Sequence, residues 1–116
     1  MNLYLISFDL KPGVGDLAFV EHLERFLGKL RAAEGIAGWR LIRRKLGLGP
    51  PAWGEFLLSI ETESLAQLDH AFSMASRRDE PMESLHFEVN RWTCNLSFAL
   101  YRDFPDAHRQ RGEEKF

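Results

Sequence analysis

The sequence predicts an α+β fold in which a four-stranded antiparallel sheet carries two long helices on one face. The apolar patterns follow the order strand, helix, strand, strand, helix, strand, which is the split β-α-β arrangement. The chain has 116 residues, 45% of them hydrophobic, and this is the size of one domain. The predicted strands also have apolar residues on both faces, although two helices can cover only one face of a sheet.

The first strand and the first helix have the clearest patterns. Residues 3–10 are rich in aliphatic and aromatic side chains and end at a Lys-Pro-Gly turn at positions 11–13. We expect Asp16 to cap the following helix and Gly35 to end it in a left-handed conformation. The apolar residues of this helix recur at steps of three and four. They are Leu17, Phe19, Val20, Leu23, Phe26, Leu27 and Leu30.

The middle of the chain predicts a pair of strands and a second helix. Alternating side chains indicate a strand at 38–46, and a Gly-Pro-Pro sequence indicates a loop at 47–52. The third strand is expected at 53–61, with Trp53 at its start. Ser64 is suited to cap the second helix. The apolar stripe of this helix consists of Leu65, Leu68, Ala71, Phe72 and Ala75.

A short helical segment and a last strand complete the predicted domain. Pro81 fits the first turn of the helical segment, and the last strand is expected at 90–101. We assign residues 1–104 to a single domain of the ferredoxin-like class and 105–116 to a charged tail. The stripe of the short segment consists of Met82, Leu85, His86 and Val89.

The sheet face without helices predicts a second copy of the chain. Leaving four large apolar side chains exposed on that face would forgo about 6–12 kcal/mol, at about 1.5–3 kcal/mol each. This equals the whole stability of a typical domain. Because a twofold dimer is the commonest soluble oligomer, we expect a homodimer formed through the open sheet faces.

Several segments resemble a known superfamily. They are the Lys-Pro-Gly turn, the long helix ending in glycine, Trp53 before the third strand, and Ser-Ile-Glu-Thr-Glu-Ser-Leu-Ala-Gln-Leu at 59–68. Over residues 3–101 the chain resembles the dimeric α+β barrel superfamily. That superfamily includes antibiotic-biosynthesis-type monooxygenases, ethyl-tert-butyl-ether-degradation-like proteins, muconolactone-isomerase-like proteins and many members of unassigned function. The resemblance implies a barrel closed at the dimer interface and a cavity between the sheet and the helices of each subunit.

His86 is the candidate catalytic residue. A histidine can serve as a general base, and the superfamily members that use one place it near this position, before the last strand. Asn90 lies four residues further on and is expected on the same helical face. Ser7, Trp39 and Trp92 are further candidates for substrate binding, since a flat indole ring offers a large apolar surface with a polar edge. The alternative for each of these residues is a packing role in the core or at an interface.

Other kinds of site are excluded by composition and motifs. The net charge of −2 argues against binding to nucleic acid. The one cysteine, Cys94, allows neither an internal disulfide nor a clustered zinc site, and we expect a buried, inert thiol. No motif for a phosphate, a dinucleotide or a catalytic triad is present, so we expect no cofactor and no metal. The sequence contains neither a membrane span nor a signal peptide, and we expect a cytoplasmic protein.

Two functions remain open at this point. One is a small cofactor-independent enzyme, a monooxygenase or isomerase, in which His86 removes a proton from a small apolar or aromatic metabolite. The other is a non-catalytic dimer that binds a ligand or has a structural role. The first requires a cavity of a few hundred Å³ with His86 facing it.

Overall fold

The computed structural model describes residues 1–105 and 110–112 and confirms the α+β fold class. The four strands form one antiparallel sheet in the order β2-β3-β1-β4, as expected for a ferredoxin-like domain. Part of the predicted tail lies outside the described residues. The elements are β1 (Asn2–Leu10), α1 (Asp16–Ala32), β2 (Gly38–Arg43), β3 (Phe56–Thr62), α2 (Leu65–Ala75), α3 (Met82–Asn90) and β4 (Thr93–Arg102).

The hydrophobic core lies between the helices and one face of the sheet. In β3 every second residue is buried, from Phe56 to Thr62, because alternate side chains of a strand point to opposite faces. Phe8 of β1 belongs to the same layer and packs against Phe19 and Phe56, with ring centroids 5.5 and 5.6 Å away. The predicted stripe of α1 supplies the opposite wall. Its buried members are Phe19, Leu23, Phe26, Leu27 and Leu30.

The open face of the sheet carries both apolar and polar side chains. The odd-numbered positions of β1, β3 and β4 place leucines and serines there, and Ile42 and Tyr101 are exposed. The leucines are Leu3, Leu5 and Leu57, and the serines are Ser7, Ser59 and Ser97. These strands therefore present large apolar side chains on the face that the helices leave uncovered, with serines between them.

The loop between β2 and β3 covers one end of this open face. The backbone N–H groups of Gly54 and Glu55 donate to Ser7 Oγ at 2.6 Å and to Asp9 Oδ1 at 2.7 Å. A Cβ atom at position 54 would collide with the backbone of Phe8. Only glycine, which has no Cβ atom, permits so close an approach. Gly54 therefore determines where this loop crosses β1.

Three strand boundaries differ from the prediction by three residues each. β2 ends at Arg43 instead of position 46, because Leu46 and Gly47 adopt positive φ angles of 55° and 67° that end the extended conformation. Trp53 does not open β3; it lies in the loop, 57% exposed, and β3 begins at Phe56. β4 begins at Thr93, since residues up to position 90 belong to α3.

The ends of α1 also differ from the prediction in detail. Gly15 occupies the N-cap position, and Asp16 is the first helical residue. At the other end Glu34, with φ of 62°, takes the left-handed position that was expected of Gly35. The N–H of Gly35 donates to Leu30 O at 2.8 Å and that of Glu34 to Arg31 O at 2.9 Å, which is the Schellman pattern.

A bulge near the start of β4 shifts its pairing with β1 by one residue. Asp9 pairs with Cys94, whereas Ser7 pairs with Ser97, so β4 contains one extra residue between these positions. Asn95 has a φ of 54°, and its side-chain amide donates to Asp9 Oδ2 at 2.9 Å. This hydrogen bond, followed by the one from the Glu55 N–H, lowers the pKa of Asp9.

Candidate functional site

A cavity of about 340 Å³ lies between the helix-covered face of the sheet and all three helices. Its wall is formed by side chains of β1, β3, β4, α1, α2 and α3, and most of them are apolar. Aromatic rings contribute much of this surface. They belong to Tyr4, Phe8, Phe19, Phe26, Phe72 and Phe98.

The helix α3 brings His86 and Asn90 to the cavity together. They are four residues apart and therefore lie on one face of the helix. The half-buried imidazole of His86 stacks on Phe26 of α1, with centroids 5.1 Å apart and ring planes 12° from parallel. Within residues 1–105 and 110–112, neither side chain takes part in a hydrogen bond. Both polar groups are therefore available to a ligand.

The remaining polar groups of the wall are largely occupied. The Ser76 hydroxyl donates to Phe72 O, and the Thr93 hydroxyl donates to Asn90 O at 3.1 Å. Burial raises the pKa of the Tyr4 hydroxyl, which therefore stays protonated at neutral pH. Among the described residues of the wall, unused hydrogen-bonding capacity belongs to His86 and Asn90 on α3 and to the Tyr4 hydroxyl on β1.

The cavity opens to solvent between α2 and β4. Phe72 of α2 and Phe98 of β4 both line the cavity, yet they are 46% and 59% exposed. Tyr4 lies between them, in edge contact with Phe72 at 5.2 Å and stacked on Phe98 at 6.0 Å. These three rings form an aromatic rim through which a ligand can enter.

Three other candidates from the sequence lie away from this cavity. Ser7 is on the opposite face of the sheet, where its hydroxyl accepts the Gly54 N–H. Trp39 packs against the core from β2 without lining the cavity. Trp92 contacts His22 edge-on at 4.8 Å and stacks under Arg91 at 4.9 Å. The substrate-binding role proposed for these three residues remains a prediction.

Sequence reasoning missed the aromatic rim. Tyr4 shares a strand face with Phe8, and this alternation was a usable signal. The position of Phe98 depends on the β4 bulge, and Phe72 was expected within the core of α2. No sequence signal indicated that Phe72 or Phe98 would lie at the opening of the cavity.

Two contacts join α3 to α1. Outside the cavity, Glu88 of α3 lies 3.8 Å from His22 Nδ1 of α1 and also pairs with Arg91 at the end of its own helix, at 2.8 Å. The stacking of His86 on Phe26 is the second contact, and α3 has no fully buried residue.

Neither a metal site nor a membrane span is found in the part of the chain that the structure describes. No three His, Cys, Asp or Glu side chains there are grouped closely enough to bind a metal ion. None of the described helices has the length and apolarity needed to cross a bilayer.

The fold is similar to solved structures, one of which is described as having a ferredoxin-like fold. One is a dimeric protein of unknown function from Bacteroides fragilis NCTC 9343, with a TM-score of 0.56 and 13% identity over 88% of this chain and 95% of that chain. Another is an ethyl tert-butyl ether D (EthD) family protein from Bacillus halodurans C-125, with a TM-score of 0.50 and 15% identity over 89% of this chain and 99% of that one. At these identities the likeness shows the fold alone.

Sequence comparison gives a family and no activity. No curated protein matches this chain. A family model matches the whole length, residues 1–116, and its members have no assigned function. The chain therefore belongs to the family of unknown function DUF6614.

Proposed function

We propose that this protein binds a small, mainly apolar organic molecule in the cavity between its sheet and helices. The observation that supports this most directly is the cavity itself, about 340 Å³ in volume, with an apolar wall and two unused polar side chains on α3. Ligand sites in proteins have this size and this mixture of many apolar groups with a few placed polar ones.

The reaction that this site suits best is proton transfer by His86. A neutral imidazole can remove a proton from a carbon atom next to a carbonyl group and return it at another position, which is an isomerisation. Asn90 can donate a hydrogen bond to the carbonyl oxygen as negative charge develops there. Monooxygenation would begin with the same proton removal and would need molecular oxygen as a second substrate. The alternative function is binding without catalysis.

We also propose that the protein works as a homodimer joined through the open sheet faces. Leu3, Leu5 and Leu57 form an apolar surface there, extended by the exposed Ile42 and Tyr101. A self-complementary surface of this kind suits a twofold interface. The similar protein from Bacteroides fragilis is dimeric, which supports the same arrangement here.

Ligand binding can be tested with a cavity-filling variant. Ala75 lines the cavity, whereas Ala66 of the same helix is exposed. A panel of small aromatic and aliphatic compounds should raise the melting temperature of the wild type and of Ala66→Phe, because a ligand of the folded state stabilises it. Ala75→Phe should lose this response. An equal response from both variants would place the binding elsewhere.

Catalysis can be tested without knowing the natural substrate. Aromatic ketones such as 1-indanone exchange the hydrogen next to the carbonyl for deuterium in D₂O when a base removes it. NMR should show faster exchange with the wild type than with His86→Gln, whereas His70→Gln, at an exposed histidine, should behave as wild type. Binding of ketones without faster exchange would favour the non-catalytic alternative.

A further inference from the structure

The described residues that form the wall of the cavity include no Asp, Glu, Lys or Arg. The carboxylates of α3 lie outside this wall: Glu88 is paired with Arg91, and Glu83 is exposed. A ligand in the cavity would find no counter-charge among these groups.

The hydrogen-bonding capacity of the wall is also limited to a few groups. The hydroxyl hydrogens of Ser76 and Thr93 are bonded to backbone carbonyls. His86 and Asn90 each keep a donor and an acceptor for a ligand. The Tyr4 hydroxyl of β1 also makes no hydrogen bond among the described residues, and the other side chains that β1, β3 and α1 contribute are apolar.

We propose that the ligand of this cavity is uncharged and carries few polar groups, with a carbonyl, hydroxyl or amide group placed against His86 and Asn90. This inference rests on the proposed function and defines its ligand class. A carboxylate, phosphate or sulfonate would lose hydration without gaining a partner of opposite charge, which is a large penalty. A sugar has more hydroxyl groups than this wall can satisfy, and unsatisfied polar groups also weaken binding.

The proposal can be tested with two fluorescent probes of one skeleton. N-phenyl-1-naphthylamine is neutral, and 8-anilinonaphthalene-1-sulfonate is the same molecule with one sulfonate added. Both become brighter in apolar surroundings. Titrations at about pH 8, where free imidazoles are neutral, should give a Kd for the neutral probe at least about tenfold lower than for the sulfonate.

Variants make the outcome specific to the cavity. Ala75→Phe from α2 and Val89→Phe from α3 both narrow the cavity, and either one, if folded by circular dichroism, should lose binding of the neutral probe. Ala66→Phe should keep it. Equal affinity for both probes, lost together in the narrowed variants, would overturn the uncharged ligand while leaving a binding cavity in place. Failure of the wild type to bind the neutral probe, or unchanged binding in both narrowed variants, would overturn the proposed function as well.

Discussion

Thr62 carries a buried hydroxyl without a partner among the described residues. The residue is 0% exposed, and its Oγ1 forms no hydrogen bond there. Valine has nearly the same shape, so Thr62→Val should raise the free energy of unfolding by about 1 kcal/mol, because a buried unsatisfied polar group is removed. Denaturant titration measures this change.

Thr93 provides the matched control for that substitution. It is equally a buried strand threonine, but its hydroxyl donates to Asn90 O. Thr93→Val should therefore lower the free energy of unfolding by about 1 kcal/mol. If Thr62→Val lowered the free energy of unfolding as Thr93→Val is expected to do, the hydroxyl of Thr62 would have to be satisfied in solution.

The carboxylate of Asp9 makes stability depend on acidity. Its pKa in the folded protein is lowered from the ordinary value of 3.8, mainly by the Asn95 side chain and then by the Glu55 N–H. A carboxylate whose pKa is lowered by folding stabilises the fold by its full amount when the pH lies above the ordinary pKa. This stabilisation is lost as the pH falls through the pKa of the folded state. The difference in unfolding free energy between wild type and Asp9→Asn should thus shrink on acidification below about pH 4.

A matched substitution checks this dependence. Glu24 is an exposed residue of α1, and Glu24→Gln should leave the acid part of the stability curve close to that of the wild type. A difference for Asp9→Asn that stayed constant with pH would contradict the stabilising role of its charge.

At the scale of elements, the end of α1 contains a conformation unfavourable for its residue. Glu34 adopts a φ of 62°, where a side chain costs about 1–2 kcal/mol and glycine costs little. Glu34→Gly should raise the free energy of unfolding by about 1 kcal/mol, reduced by the greater flexibility of glycine in the unfolded chain. Thermal unfolding measures this change in stability. The control is Glu24→Gly, which should lower the free energy of unfolding by about 1 kcal/mol because glycine is unfavourable in the interior of a helix.

The helices were predictable because their apolar residues recur with the helical period over several turns. This period also placed His86 and Asn90 on one face of α3, as the structure confirms. Alternation in β1 indicated which residues share a sheet face, but it could not indicate that the loop at Gly54 would cover Ser7. Such contacts join positions distant in the sequence, and no local pattern reports them.

The bulge in β4 shows a second limit of pattern reading. Regular alternation would place Cys94 on the same face as Leu96 and Phe98. The extra residue reverses this relation, so Cys94 pairs with Asp9 and is half-buried, whereas a buried thiol was expected. A one-residue shift in register moves every later side chain of a strand to the other face of the sheet. In β4 this shift brings Leu96 and Phe98 to the cavity.

At the scale of the whole molecule, the proposed dimer predicts a response to charge on the open sheet face. Leu5 lies on the central strand β1, between Ser59 and Ala99. Leu5→Glu would bring like charges together across a twofold axis and should convert the dimer to a monomer in analytical ultracentrifugation. Leu17→Glu, on the exposed side of α1 at 77% exposure, should remain dimeric. A monomeric wild type at micromolar concentration would exclude the dimer.

The loop anchored at Ser7 and Asp9 restricts how two subunits can meet. Because its backbone occupies one end of the bare sheet surface, the second subunit of the proposed dimer would have to bind off-centre, towards Leu3, Leu5 and Tyr101 at the far end of β1 and β4. The symmetry axis would then run nearer the chain's amino terminus than the middle of the sheet. The length of this one hairpin connection would thereby govern the geometry of the proposed dimer.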